Sequence, residues 1–238
     1  MSTFVMSDKY PSFVNEIEKL GHTVIASDTV EIFPIPEQKH ADMQILPIND
    51  DIFLLNECTM LAEKLVSERL IYCYKKAGEK YPENIILNFL FLNNTLYGKL
   101  SAIDKNLLDY CKENSIRTVN INQGYARCST LVLNNNAVIT SDLSIEKALK
   151  NDGVEVLLIS SGNIVLDGYN YGFIGGASGK IDENTVVFFG NIKKHPDYIR
   201  IENFCSNHNV LIKIICNDMP LTDIGGIVKL KINKKTAR

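Results

Sequence analysis

The chain has 238 residues, of which 45% are hydrophobic, so it can bury a sizeable core as one large or two small domains. Its formal net charge is -3, and its one basic cluster is the C-terminal tail "KINKKTAR", which we interpret as a solvated terminus. This balance excludes a strongly basic nucleic-acid-binding protein. We therefore expect no nucleic-acid partner.

The sequence also carries no sign of export or of metal binding. The N-terminal segment "MSTFVMSDKYPS" lacks the basic and apolar regions of a secretory signal, and the longest apolar runs are too short to span a membrane. We therefore expect a cytoplasmic protein without a membrane partner. The six cysteines form no CxxC pair and no tight His and Cys cluster, so we expect reduced thiols, no metal site and no cofactor.

Taken in chain order, the predicted elements form five similar units within a single domain. Each unit has a helix, an apolar strand, a polar or Gly-containing bend and a strand that enters a hairpin turn. The second unit is predicted to have a longer helix, "CTMLAEKLVSERLIYCYKKAGEKYPE", and to have lost its bend. The units cover about residues 9–56, 57–100, 101–142, 143–191 and 192–233.

The repeat is most visible at the hairpin turns. Turns at Asp50, Asn93, Asn135 and Asn184 follow one another at spacings of 43, 42 and 49 residues. One helix and a few short strands cannot bury their own apolar face, so neighbouring units must pack together. The first and fifth units resemble each other at both ends, which suggests closure into a ring with helices outside and bends at the axis.

Five such units in about 240 residues resemble the pentein fold, the five-bladed α/β propeller. The guanidino-group-modifying enzymes share this fold: arginine and agmatine deiminases, dimethylarginine dimethylaminohydrolase and amidinotransferases. The ribosome anti-association factor has it too. The resemblance covers about residues 9–232 and implies an α/β, pseudo-five-fold propeller around a central channel.

In the enzymes of that family, carboxylates hold a guanidinium, a His acts as acid and base, and a Cys near the chain end attacks the guanidinium carbon. The resemblance implies that Asp42 and Asp223 are the carboxylates of the channel. It would place the nucleophile near Val228 or Lys229, where this chain has no Cys. The fourth-unit His is also missing from "GFIGGASGKI", and the third-unit acid has no clear counterpart in "NINQGYARCST".

Polar residues in the bends form the candidate site, because equivalent bends of a closed ring face its axis. In the third unit, Cys128 aligns with Asp42 and Asp223, and Arg127 next to it is predicted to lower its pKa. The alternative for Cys128 is a small buried thiol. Arg127 is predicted either to bind a ligand carboxylate or to pair with an aspartate as a structural strut. Asn122 and Ser129 complete the candidates of this bend.

The bends of the other units add further candidates. Gly175, Gly176 and Ser178 lie in "GFIGGASGK", which either cradles an anion or packs closely at the axis. Asp218, together with Asp223, either clamps a cation or takes part in the turn beside Pro220. His40 lies beside Asp42 and is a candidate general base, whereas His195 is interpreted as a capping or surface residue.

Two functions remain open at this point. The first is an enzyme or former enzyme of the guanidino-modifying type, a hydrolase, deiminase or amidinotransferase, that binds a small guanidino or amino-acid-like ligand. If it is catalytic, Cys128 is the expected nucleophile and His40 the base. The second is a non-catalytic module that senses a ligand or docks on a protein or ribosome.

Overall fold

The computed structural model describes residues 1–66 and 68–231. Short strands make up most of its regular structure. The strands are β1 (Thr3–Met6), β2 (Thr23–Ala26), β3 (Ile45–Ile48), β4 (Asp51–Leu54), β5 (Arg69–Tyr72), β6 (Leu90–Leu92), β7 (Thr95–Gly98), β8 (Arg117–Asn120), β9 (Thr130–Asn134), β10 (Ala137–Thr140), β11 (Glu155–Leu158), β12 (Ser178–Lys180), β13 (Thr185–Asn191), β14 (Leu211–Pro220) and β15 (Ile227–Leu230).

Six α-helices alternate with these strands. They are α1 (Pro11–Lys19), α2 (Ala41–Gln44), α3 (Thr59–Lys64), α4 (Lys105–Glu113), α5 (Leu143–Asn151) and α6 (Tyr198–Asn207). Two of the longer helices begin where an aspartate caps the free N–H groups of the first turn. Asp104 accepts from Asn106, and Asp142 accepts from Ser144 and Ile145.

The strands form five sheets of three, in the orders β15-β1-β2, β3-β4-β5, β6-β7-β8, β9-β10-β11 and β12-β13-β14. In each sheet the first strand, here called the inner strand, pairs antiparallel with the middle strand. The middle strand pairs in parallel with the third strand. A helix makes the parallel crossover, as parallel pairing requires.

Both ends of the chain share one sheet. Strand β15 pairs antiparallel with β1, with Thr3 opposite Leu230 and Met6 opposite Ile227. The ring is therefore closed by backbone hydrogen bonds between the first and last strands. The strand Thr3–Met6 lies ahead of the predicted first unit. It was not predicted, because its four residues contain neither a turn motif nor a helical pattern that would mark them as part of a unit.

The four hairpins within the chain occur where the Asn-rich turns are predicted. Asn49, Asn93 and Asn94 have positive φ, a conformation that asparagine tolerates better than most residues. The middle strands β4, β7 and β10 are buried along their whole length. Continuous apolar burial is expected of strands that are covered on both faces.

The apolar core lies between neighbouring sheets. One cluster joins Leu90 of β6 to Val138 of β10, and another joins Phe4 of β1 to Val187 of β13. No single sheet with its helix could bury these side chains alone. The packing between neighbours therefore stabilises the closed ring.

The second unit differs from the prediction. Its helix α3 has only six residues, and the segment Arg69–Tyr72, which was assigned to a long helix, is strand β5. The bend is also present, as residues 73–89 with a 3₁₀ turn at Glu83–Ile85. The prediction was wrong because "RLIY" suits a pleated strand and pairs with β4, and this tertiary pairing overrides the helical period around it.

The predicted α/β class is confirmed by these five small sheets and their crossover helices. Within residues 1–66 and 68–231, no helix is long and apolar enough to cross a membrane. The tail "KINKKTAR" lies outside the described residues from Ile232 onward.

Candidate active site at the ring axis

A closed ring of hydrogen bonds joins the five segments that precede the inner strands. The backbone N–H of Asp42 donates to Gly225 at 3.2 Å, Gly226 donates to Gly176 at 2.8 Å, and Gly176 donates to Cys128 at 3.0 Å. Asn88 supplies the two remaining links with its side chain. Its Oδ1 accepts from the N–H of Cys128 at 3.3 Å, and its Nδ2 donates to the carbonyl of Asp42 at 3.3 Å.

Glycine is required at two places in this ring. A Cβ on Gly175 would lie 2.5–2.7 Å from the carbonyl oxygens of Thr130, Arg127 and Cys128. A Cβ on Gly176 would overlap the carboxylate of Asp223. The Gly-rich bend therefore packs closely at the axis, which was one of its two predicted roles.

A cavity of about 270 Å³ opens at the N-terminal ends of the inner strands. We call it the acidic cavity, because its charged lining consists of two carboxylates and contains no Lys or Arg among the described residues. Its lining comprises Glu37, His40, Tyr125, Cys128, Leu166, Tyr169, Asn170, Tyr171, Phe173 and Asp223.

Both carboxylates of the acidic cavity are buried and oriented by hydrogen bonds. Asp223 accepts from the N–H groups of Phe173 at 2.8 Å and Gly225 at 3.0 Å. Glu37 accepts from the hydroxyl of Tyr169 and from Asn84 Nδ2. Each carboxylate oxygen has two lone pairs, so both groups can accept further hydrogen bonds from a ligand.

Aromatic rings form much of the remaining wall. Tyr125 stacks between Tyr81 and Phe173, with ring centroids 6.1 Å and 5.8 Å away. Burial raises the pKa of Tyr125 well above its usual range, and the nearby Glu37 adds to the effect. Its hydroxyl therefore stays protonated and contributes no negative charge. Tyr169 and Tyr171 of the same lining are exposed, and their rings remain available to a cation.

Cys128 is buried at the floor of this cavity. Its sulfur lies 2.9 Å from Asn88 Nδ2. Burial raises the pKa of the Cys128 thiol well above its usual range, and the negative charges of Asp42 and Asp223 raise it further. The prediction that Arg127 lowers this pKa was wrong, because burial and the two carboxylates dominate at the sulfur.

His40 lies in the same cavity as Cys128. Its Nδ1 is 3.9 Å from Asp223 Oδ1, and both side chains are buried. The ring is held against Gly225, where any Cβ would overlap His40, and Gly225 has a φ of +78° that favours glycine. The closure of the first sheet therefore fixes the position of the imidazole beside the carboxylate.

A second cavity of about 350 Å³, the axial channel, runs along the inner strands. All five of them line it, through residues such as Leu46, Phe91, Val132, Gly179 and Val228. Its charged lining is made by Asp42, Arg127, Lys180 and Lys229. Asp42 lies beside Cys128, so these two residues separate the axial channel from the acidic cavity.

Asp42 is a buried carboxylate beside the thiol of Cys128, which is a potential hydrogen-bond donor. Neither Oδ1 nor Oδ2 has a partner of good geometry among the described residues. Burial raises its pKa to about 6, and repulsion from Asp223 adds to this, whereas His40, Cys128 and Arg127 act in the opposite direction. Buried polar groups without partners are rare in folded proteins, so this carboxylate is a candidate for ligand contact.

Comparison with solved structures identifies the fold. The chain is similar to DDAH from Pseudomonas aeruginosa in complex with citrulline, at 10% identity and a TM-score of 0.60, covering 96% of this chain and 99% of that one. It is also similar to SxtG, an amidinotransferase of Microseira wollei, at 11% identity and a TM-score of 0.58, covering 90% and 88%. Substrate-bound agmatine deiminase of C. jejuni aligns at 10% identity and a TM-score of 0.56, covering 96% and 93%.

These structures are penteins, and the resemblance predicted from the sequence is confirmed for the fold. No curated protein matches the sequence. Residues 4–228 match the model of a family of unknown function, DUF6873. The chain belongs to this family. In this member of DUF6873, no cysteine follows Cys216 in the sequence.

The predicted site residues of this DUF6873 protein divide between the two cavities. His40, Cys128 and Asp223 line the acidic cavity, and four others line the axial channel: Asp42, Arg127, Gly175 and Ser178. Arg127 donates from Nη1 to the carbonyl of Ile45 at 2.6 Å. Burial lowers the pKa of Arg127, but a guanidinium stays charged under ordinary conditions.

The remaining predicted residues lie elsewhere. Asn122 is exposed in a shallow groove beside α5, and Asp218 is exposed on β14, because that strand continues to Pro220 rather than turning toward the axis. Neither lines the acidic cavity or the axial channel. Ser129 is buried, its hydroxyl has no partner within residues 1–66 and 68–231, and it lines neither cavity. His195, interpreted as a capping or surface residue, is buried, and its Nδ1 accepts from the N–H of Asp197.

Sequence reasoning missed Asn88, Glu37 and the tyrosines of the acidic cavity. Asn88 has the same offset as Cys128, two residues ahead of its inner strand, so an alignment of the bends could have found it. It was overlooked because the second unit was assigned no bend. Among the described residues, no group of three or more His, Cys, Asp or Glu side chains is placed to hold a metal ion.

Proposed function

We propose that the acidic cavity binds a small cationic ligand of the guanidino or amino-acid-like class. The observation that carries this proposal is the pair of buried, oriented carboxylates, Glu37 and Asp223, in a lining without Lys or Arg among the described residues. Buried charges require a partner, and a ligand cation would supply it. Charge-assisted hydrogen bonds to two carboxylates are a strong mode of guanidinium recognition.

The aromatic wall supports a planar cation over a compact one. Tyr169 and Tyr171 line the cavity and are exposed, and a guanidinium can stack on a tyrosine face while its edge donates to a carboxylate. The similar solved structures bind citrulline and an agmatine deiminase substrate, which agrees with this ligand class.

A second candidate is covalent chemistry at Cys128. It is favoured by one observation, that Cys128, His40 and Asp223 line the same cavity. The thiol of the free protein is a poor nucleophile because its pKa is raised, and only the thiolate attacks. A bound cation would oppose the repulsion from Asp42 and Asp223 and favour the thiolate. His40 would act as the base.

The test combines a thermal-shift screen with thiol labelling. The screen uses arginine, agmatine, methylarginines and citrulline. A raised melting temperature with at least one guanidino cation supports the proposed binding, and no shift with any of them argues against it.

Labelling addresses the covalent candidate separately. A haloacetamidine carries a cationic amidine and an electrophile, and iodoacetamide serves as the neutral control. Faster haloacetamidine labelling of Cys128 than of the partly exposed Cys216, blocked by the ligand from the screen, supports chemistry at Cys128. Equal labelling of the two cysteines would rule that candidate out and leave the binding proposal standing.

A further inference from the structure

The axial channel differs from the acidic cavity in the sign of its charge. Three cations line it, Arg127, Lys180 and Lys229, against one carboxylate, Asp42. Among the described residues, no carboxylate oxygen lies within 4 Å of any of the three cationic groups, although such pairs occur elsewhere on the molecule. Three cations that have no ion-pair partner in the described part of the chain therefore share one cavity.

The donors of these cations are mostly free for a ligand. Arg127 uses Nη1 on the carbonyl of Ile45, and its other guanidinium N–H groups have no partner among the described residues. Lys180 donates once, to the carbonyl of Leu133 at 2.5 Å, and an ammonium has three donors. Lys229 is exposed at the mouth and makes no side-chain hydrogen bond within the described part of the chain.

Two further carboxylates act on the channel cations from outside the lining. Asp182 and Glu183 act on Lys180 at longer range, and Asp182 also interacts with Lys229. Asp42 lies at the inner end, buried beside the thiol of Cys128, and its oxygens have no hydrogen bond of good geometry among the described residues. Burial raises its pKa to about 6, so a nearby anion would further favour the protonated form, which can donate a hydrogen bond.

We propose that the axial channel is a second ligand site, which binds a small oxyanion, a carboxylate or a phosphate group, between Arg127, Lys180 and Lys229. Guanidinium and ammonium groups suit such a ligand because both donate charge-assisted hydrogen bonds to its oxygens. Lys180 and Lys229 lie on the inner strands β12 and β15, and Arg127 lies in the turn that leads into β9. The site is distinct from the acidic cavity in residues, in charge and in ligand class.

The test is calorimetric titration of the full chain with sodium phosphate and, separately, with sodium acetate, at constant ionic strength. Saturable one-to-one binding of either anion is expected, and the anion that binds identifies the oxyanion class. The absence of saturable binding with both anions would overturn the proposal.

Variants then locate the site. Lys180→Gln/Lys229→Gln is expected to weaken binding at least about tenfold, because it removes two charge-assisted donors. Lys213→Gln, an exposed lysine on β14 outside the channel, is the matched control and should bind as the wild type does. Equal affinity in the double variant and the control would overturn the proposal.

A single variant tests the site even if the double variant fails to fold. Lys229 is exposed, so Lys229→Gln should keep the native melting temperature and still weaken binding several-fold. If Lys229→Gln and Arg127→Lys both bind the anion as tightly as the wild type does, the proposed site is contradicted. These titrations use anions and channel residues, so their failure is distinguishable from failure of the proposed cation binding.

Discussion

The side-chain amide of Asn88 donates to the sulfur of Cys128 across 2.9 Å, and its Oδ1 accepts from the backbone N–H of Cys128 at 3.3 Å. The same Oδ1 accepts from the N–H of Arg127 at 3.0 Å. One side chain therefore positions the thiol at the floor of the acidic cavity and completes the hydrogen-bond ring at the axis. The Asn88 side chain is fully buried, so water cannot replace these hydrogen bonds.

Replacing Asn88 with alanine should destabilise the protein by about 2–4 kcal/mol, because two buried N–H groups and one buried carbonyl lose their partner. Urea unfolding measures the loss. Asn151→Ala, at an exposed position at the end of α5, is the control and should change stability by less than about 0.5 kcal/mol. Similar losses in the two variants would show that the ring is not required for stability.

Gly175→Ala should cost about 3 kcal/mol, because the new Cβ would meet three backbone carbonyl oxygens at 2.5–2.7 Å and backbone cannot move aside cheaply. The comparison is Gly153→Ala. Gly153 has open space around it and a φ of +77°, so alanine there costs about 1 kcal/mol of backbone strain alone. Thermal or urea unfolding of both variants checks the difference, and equal costs would contradict close packing at the axis.

The stability of the protein should depend on pH through Asp42. Its pKa is raised from 3.8 to about 6, so the folded state holds a proton that the unfolded state has lost between those two values. The contribution of Asp42 to the free energy of unfolding is therefore greatest below about pH 4, and it falls as the pH rises to about 6. The fall amounts to about 3 kcal/mol, because each pKa unit corresponds to 1.36 kcal/mol.

Asp42→Asn removes this ionisation. Relative to the wild type, the variant should gain about 3 kcal/mol between pH 4 and pH 7, as measured by urea unfolding at both pH values. Asp218→Asn, at an exposed position, is the control and should show no such gain. If the two variants respond alike to pH, Asp42 does not carry the buried charge described here.

The fold could be predicted from the sequence to a large extent, because the hairpin turns recur at a nearly constant spacing. Asn93 and Asn135 mark two-residue hairpin turns in neighbouring sheets, although only the first turn has positive φ. The first sheet could not be predicted in this way. It combines β15 with β1, and a pairing between the two ends of the chain leaves no local signal.

The candidate site was predictable only in part. Asp42, Cys128 and Asp223 were aligned with one another in the sequence, and each precedes an inner strand by two to four residues. The division into two cavities depends on which way each side chain points from the ring, and a periodic pattern does not give this direction. Glu37 could not be assigned from sequence, since a hydrogen bond to Tyr169, far along the chain, orients its carboxylate.

The most direct test of the central claim is a calorimetric titration of the full chain with arginine, agmatine and methylarginines. We predict that at least one of these cations binds saturably, one per chain, and that Glu37→Gln weakens it at least about tenfold by removing a buried charge. Glu31→Gln, at an exposed position six residues earlier, should bind as the wild type does. No saturable binding of any cation, or equal affinity in the two variants, would contradict the account.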